Sequence, residues 1–251
     1  HYNVQIRDRA HTGCVRILDD DLEITEPAAL TGTVLSTNIT CNGANDGTIS
    51  ITAAAGGYGT YEYSVDGGVT WQSSGLFTRL IPGSYTVMIR DALYITCVRT
   101  LRAGLLITQP LALSAAVAST NVTCFGGNDG TITISAPAGG YGTYEYSING
   151  GGSWQASGSF SALSPGTYNI LIRDAANTGC VITLNAAYAV TQPPILSATV
   201  VKTDVTCNGA GDGTITISAP TGGYGTYEYS INGGVSWQAT GNYTALAPGT
   251  F

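Results

Sequence analysis

Charge is sparse in this chain: Asp, Glu, Lys and Arg make up 10% of 251 residues, and Lys202 is its single lysine. Acidic groups outnumber basic ones, for a net charge of −7. No basic face is available to meet phosphates, which excludes nucleic acid and anionic membrane surfaces as partners. Histidine is confined to His1 and His11, with no counterparts later in the chain. A repeated His-based triad or metal site is thereby excluded. No segment approaches the roughly 18 uninterrupted apolar residues of a membrane span, so no membrane insertion is expected in this segment. Cys-x-x-Cys pairs, a Gly-x-Ser-x-Gly elbow and a phosphate-binding glycine loop are all missing. No catalytic residue and no cofactor is expected, and the chain reads as non-enzymatic.

Glycine, in contrast, is abundant at 34 residues, with Thr, Val, Ile and Tyr between the glycines. That mixture suits many short strands joined by tight turns. The arrangement is periodic. Cys14, Cys97 and Cys180 recur at a constant step of 83, as do Cys41, Cys124 and Cys207, and so do Trp71, Trp154 and Trp237. GGYGTYEYS stands unchanged at 56–64, 139–147 and 222–230. Such a period marks tandem structural units. The units divide as 1–30, the C-terminal part of a repeat; 31–113 and 114–196, two full repeats; and 197–251, the N-terminal part of another. The chain starts and stops at matching positions of the period, so the expectation is that the array continues in both directions.

Within the repeat at 114–196, 115–123 reads as a first strand. Thr131–Ser135 alternates with period two and places Ile132 and Ile134 on one buried face. Tyr144–Ile148 follows, then Asn149-Gly150-Gly151 as a hairpin turn, with Trp154 leading a return strand. Ser164-Pro165-Gly166 reads as a turn with glycine in the left-handed position. Tyr168–Arg173 and Val181–Val190 bring the count to about seven strands, with no helix. The expected fold is all-β, with tandem immunoglobulin-like β-sandwich domains in a linear array. Short proline-bearing linkers at 108–111 and 191–194 predict stiff joints.

Two cysteines per unit read as disulfides in an oxidising compartment. Pairing within a unit gives Cys41–Cys97 and Cys124–Cys180 and leaves Cys14 and Cys207 to pair with continuing repeats. The alternative, Cys14–Cys41, Cys97–Cys124 and Cys180–Cys207, would staple units across the linker. Three motifs look chemical. Ser64–Trp71 matches an Asp-box hairpin, but the other copies carry Asn149 and Asn232 in place of Asp66, so a hairpin with a packed tryptophan is the plainer reading. Asp46, Asp129 and Asp212 are the calcium candidates, yet one carboxylate per loop is thin for calcium and Asp-Gly is a common turn. The Arg-Asp steps at 7–8, 90–91 and 173–174 point to opposite faces of a strand and read as loop anchors. Sequons at Asn38, Asn121 and Asn242 mark possible glycosylation sites.

The ordered series Thr40–Ile49, Tyr-Glu-Tyr-Ser, Leu-x-Pro-Gly-x-Tyr, Arg-Asp…Cys and Ile-Thr-Gln-Pro resembles the SprB-type repeat of Bacteroidota cell-surface and gliding-motility adhesins. Phe125, where Asn is usual, and Leu93-Tyr94-Ile95, in place of an Asn-Gly turn, depart from that pattern. The resemblance implies a secreted, cell-surface location reached by the type IX route. A structural extracellular filament or stalk of adhesin type is the expected function, and its partners are neighbouring repeats or copies of itself. A carbohydrate- or surface-binding module, with surface glycans as partner, is the alternative.

Overall fold

The structure is a computed structural model that describes residues 1–250. It divides into two compact units, one comprising His1–Pro110 and the other running from Leu111 onward. No described helix is long and apolar enough to cross a membrane.

The first unit opens with a hairpin of β1 (Tyr2–Arg7) and β2 (Val15–Leu22). A full repeat follows: β3 (Thr31–Thr37), β4 (Gly47–Ala55), β5 (Tyr61–Ser64), β6 (Leu76–Leu80), β7 (Gly83–Asp91) and β8 (Val98–Ile107). Two antiparallel three-stranded sheets result, in the orders β3-β4-β6 and β5-β7-β8. Alternation along β4 turns Ile49 and Ile51 inward, and alternation along β7 turns Val87 and Ile89 inward. These four share one core with Leu30, Ile39, Tyr63, Leu105 and Ile107. Each fully buried aliphatic side chain stabilises the fold by about 1.5–3 kcal/mol. Two facing sheets with this strand order form an immunoglobulin-like sandwich.

In the second unit, β9 (Ser114–Thr120), β10 (Gly130–Ala138), β11 (Tyr144–Ser147), β12 (Ser159–Leu163), β13 (Gly166–Asp174) and β14 (Val181–Val190) repeat the same two sheets. β15 (Ser197–Thr203), β16 (Gly213–Thr221) and β17 (Asn242–Leu246) form only the first sheet of the next copy. Ile215 and Ile217 there are half-buried, whereas their counterpart Ile132 is fully buried. Ile6 of β1 is likewise 57% exposed, against 0% for its counterpart Ile89. One sheet, or one hairpin, does not close a core.

Two local expectations are revised. Each full repeat has six strands; the stretch after Trp154 makes a single bridge, Tyr146 to Gln155. The Gln155 amide then donates to the Ser157 and Ser159 carbonyls, turning the chain across to the other sheet before a strand can develop. Gly166 also does not take the left-handed position: it begins β13, opposite Val190. The positive φ falls instead on Ala162 (57°), at a register shift between β10 and β12, and it recurs at Arg79 and Ala245.

Strand direction gives the sandwich two distinct ends. β3 leaves from beside Leu30, whose carbonyl accepts from the Arg99 guanidinium at the start of β8. Thr108, just past the end of β8, accepts at its carbonyl from the Ile39 N–H. The chain therefore enters each full repeat at one end and leaves from the other.

Candidate functional site

The exit end carries the first cysteine loop, and its geometry repeats. Asp46 accepts from both the Thr40 N–H (3.0 Å) and the Thr40 hydroxyl. Asp129 and Thr123 repeat the pair, as do Asp212 and Thr206. The Thr40, Thr123 and Thr206 hydroxyls, followed by their amides, hold the three carboxyls below the usual carboxylate range. These aspartates therefore fold their own loops. Among the described residues, no three His, Cys, Asp or Glu side chains gather where they could hold a metal ion.

The linker is tied into this same loop. The Gln109 side-chain oxygen accepts from the Gly43 N–H at 2.9 Å, and the Gln192 oxygen accepts from the Gly126 N–H at 2.7 Å. The sequon residues Asn38 and Asn121 are exposed, but their side-chain oxygens accept from the Thr108 and Thr191 amides at 2.9 Å. Asn242, the third sequon residue, lies exposed on β17. The clamping role of the glutamines was missed in the sequence; its only trace was their recurrence one residue before the linker proline.

The entry end is organised by a buried carboxylate. Asp91 is fully buried and accepts from the Tyr58, Leu93 and Tyr94 amides at 2.6, 2.9 and 3.1 Å. The Tyr58 amide, acting against burial and aided by Tyr94 and Leu93, holds its carboxyl below the ordinary value. Asp174, also fully buried, accepts from Tyr141, Ala176 and Asn177 in the same way. The preceding arginine faces outward. Arg90 pairs with Glu62 at 2.6 Å and lies 4.4 Å from the Trp71 ring centroid; Arg173 pairs with Glu145 and lies 4.3 Å from that of Trp154. The Arg-Asp step thus anchors a loop on one face and clasps a hairpin on the other.

That hairpin is held from within. Asp66 accepts from the Ser64 and Thr70 hydroxyls and from the Val69 and Thr70 amides. Burial alone would raise its pKa; the hydrogen bonds from Ser64, Thr70 and Val69 outweigh it and bring the value to about 2. Asn149 and Asn232 do the same work without charge, each receiving a serine amide and donating to that serine's hydroxyl. The indole N–H of Trp71 donates to the Gly68 carbonyl at 2.8 Å.

The cysteines require a correction. Cys14, Cys97, Cys124 and Cys207 are free and exposed, whereas Cys41 and Cys180 are disulfide-bonded. Neither expected set of pairs forms. Cys41 lies in the loop at the exit end, and Cys97 in the β7–β8 turn at the entry end, where the Asp91 N–H donates to its carbonyl. The strand between those ends, β8, has 10 residues, a length of about 33 Å. A disulfide requires Cα atoms within about 7 Å. Cys124 and Cys180 are separated in the same way across β14. Cys180–Cys207 in the alternative set fails as well, since Cys207 is free.

Where one repeat meets the next inside the second unit, a groove of about 470 Å³ opens between Cys124 and Phe125 on one side and Ile195, Leu196, Gly223 and Tyr224 on the other. The Tyr224 hydroxyl reaches the Val122 carbonyl at 3.5 Å.

The SprB repeat family model matches residues 33–70, 116–153 and 199–236, from the first strand through the hairpin in each copy. No curated protein matches the chain. Among solved structures, the three N-terminal domains of the bacteriophage RB49 Highly Immunogenic Outer Capsid protein (Hoc) are similar at 14% identity, with a TM-score of 0.38. The alignment covers 86% of this chain and 80% of that one, a likeness too slight to carry any inference.

Proposed function

We propose, for a chain that is a SprB-type repeat protein, that it serves as a length of extracellular filament or stalk of cell-surface adhesin type, non-catalytic and built to span distance. SprB repeats are typical of cell-surface proteins, and tandem immunoglobulin-like domains fit such a role. The observation that carries the reading is the placement of entry and exit at opposite ends of each full repeat, with the linker hydrogen-bonded into the exit loop through Gln109 or Gln192. A chain entering and leaving at one end would fold back on itself; one that traverses each domain gains length with every copy. Export by the type IX route belongs to the same proposal.

The alternative, a glycan-binding module, calls for open aromatic faces. Trp71 and Trp154 are half-buried beneath arginines, which favours the structural reading. Electron microscopy of the native material decides. Unbranched rods with a repeating spacing set by the 83-residue unit are expected, and isolated globules would overturn the proposal. Binding of a glycan array by a two-repeat fragment, lost on replacing Trp71 and Trp154, would favour the alternative.

A further inference from the structure

We propose that the cysteine of each exit loop bonds the entry-end cysteine of the following repeat, so that a disulfide crosses every joint; in this chain the pair is Cys41–Cys180. The inference is independent of the filament reading, because it rests on the geometry of one joint and on the periodicity.

The joint inside the second unit supplies the first argument. There the exit-loop residue Cys124 lines the same groove as Gly223 and Tyr224 of the following copy. One period earlier these three positions are Cys41, Gly140 and Tyr141. The Tyr141 amide donates to Asp174, and the Asp174 N–H in turn donates to the Cys180 carbonyl at 3.0 Å. The residues that face an exit-loop cysteine across a joint are therefore the ones that hold an entry-end cysteine. The transposition is licensed because both linkers are fixed alike: Asn38 and Asn121 hold Thr108 and Thr191, and Gln109 and Gln192 hold Gly43 and Gly126. The Gly140 and Gly223 amides likewise donate to the Leu111 and Pro194 carbonyls.

Burial supplies the second argument. Cys97 and Cys180 sit in equivalent turns, each amide donating at 2.8 Å to the carbonyl three residues back, Tyr94 or Asn177. Yet Cys97 is exposed while Cys180 is 6% exposed. Cys41 is half-buried and its counterpart Cys124 exposed. Local structure is the same, so the difference comes from outside the turn. The two covered cysteines are the two that are disulfide-bonded.

Bond formation needs an oxidant, here a disulfide-bearing oxidase or oxidised glutathione. One cysteine thiolate attacks the oxidant's disulfide and expels one thiol. The second thiolate attacks the resulting mixed disulfide, forms the Cys41–Cys180 bond and expels the other. Two electrons and two protons pass from the protein's thiols to the oxidant, which ends as two thiols. Each joint then carries two covalent connections, the peptide linker and the disulfide.

Tryptic mapping of the full chain tests the pairing, because each cysteine falls in its own peptide: 10–16, 17–79, 91–99, 103–173, 174–202 and 203–251. The chain is equilibrated with oxidised glutathione, alkylated, separated as a monomer and digested without reduction at mildly acidic pH. A linked 17–79/174–202 species that disappears on reduction is expected. Cys180→Ser abolishes it and leaves Cys41 alkylated or glutathionylated, while Cys97→Ser leaves the link intact. A 17–79/91–99 or 103–173/174–202 species, an unlinked 17–79 peptide in the native chain, or a link found only in covalent dimers would overturn the proposal.

Discussion

Replacing Gly139 by alanine places a methyl group where the linker backbone already lies. A Cβ there would sit 2.0 Å from the Ala112 carbonyl oxygen and 2.6 Å from its carbon, at a φ of 83°. Two costs combine, and neighbouring glycines separate them. Gly142 has a φ of 90°, and a Cβ added there would meet nothing within 4 Å, so Gly142→Ala isolates the backbone cost. The left-handed conformation costs an alanine about 1–2 kcal/mol, partly offset by about 0.4–1 kcal/mol of lost unfolded-chain entropy, for a net near 1 kcal/mol. Gly166 has neither a positive φ nor a close neighbour, its nearest atom being Tyr168 Cε2 at 4.0 Å. Gly166→Ala is expected to be neutral or stabilising by up to about 1 kcal/mol. Gly139→Ala adds the displacement of a hydrogen-bonded segment, about 1–3 kcal/mol, and the total is about 2–4 kcal/mol.

Denaturant unfolding reads the series. In a Trp71→Phe, Trp237→Phe background the fluorescence comes from Trp154 alone, so the transition reports on the repeat that contains all three glycines. The expected order of midpoints is Gly166→Ala highest, then Gly142→Ala, then Gly139→Ala. If Gly139→Ala costs no more than Gly142→Ala, the close approach of linker and glycine loop is wrong, and with it the view that the linker is seated on the domain it enters.

Four other perturbations follow from the geometry. Asp66 has a folded pKa of about 2 against an ordinary 3.8, so its contribution is fully present above about pH 3.8 and is lost as pH falls through 2; Asp66→Asn should flatten that part of the first full repeat's stability–pH curve, as measured by Trp71 fluorescence. Ile132, fully buried between the sheets, should cost about 2–5 kcal/mol on replacement by alanine in the same unfolding assay. Arg173→Ala should cost about 1 kcal/mol by removing the cation–π contact and the Glu145 pair, and should shift Trp154 emission. Gln192→Ala should speed hydrogen exchange at the Gly126 amide, its partner at 2.7 Å, with a cost of about 0.5–1.5 kcal/mol.

The sandwich was legible in the sequence wherever a side chain's direction follows from strand parity. The alternation at Thr131–Ser135 placed Ile132 and Ile134 inward, and both are buried. The Arg-Asp step was split between two faces by the same parity, and Asp91 and Arg90 are found there. Legibility ended where a partner comes from a distant loop. That Asp174 would meet the Tyr141 amide depends on the register Tyr144 to Asp174, which no local pattern encodes. The left-handed residue near Pro165 was misplaced because glycine is the usual occupant, whereas the β10–β12 register shift imposes that conformation on Ala162.

The cysteines failed for a different reason, one that belongs to any periodic chain. Separations there are known only up to whole periods: Cys41 to Cys97 spans 56 residues, and Cys41 to Cys180 spans that distance plus one repeat of 83. Spacing alone cannot choose between a bond inside a domain and one across a joint. Strand traverses can. From Cys41 the chain descends along β4, climbs along β5 and β6, and descends again along β7, so it reaches Cys97 at the far end. An odd number of traverses forbids the internal bond, and in a chain that enters each repeat at one end and leaves at the other, the end opposite an exit loop is the entry end of the next copy. The feature that makes the array extend is thus the same one that brings unlike cysteines of successive repeats to a common joint.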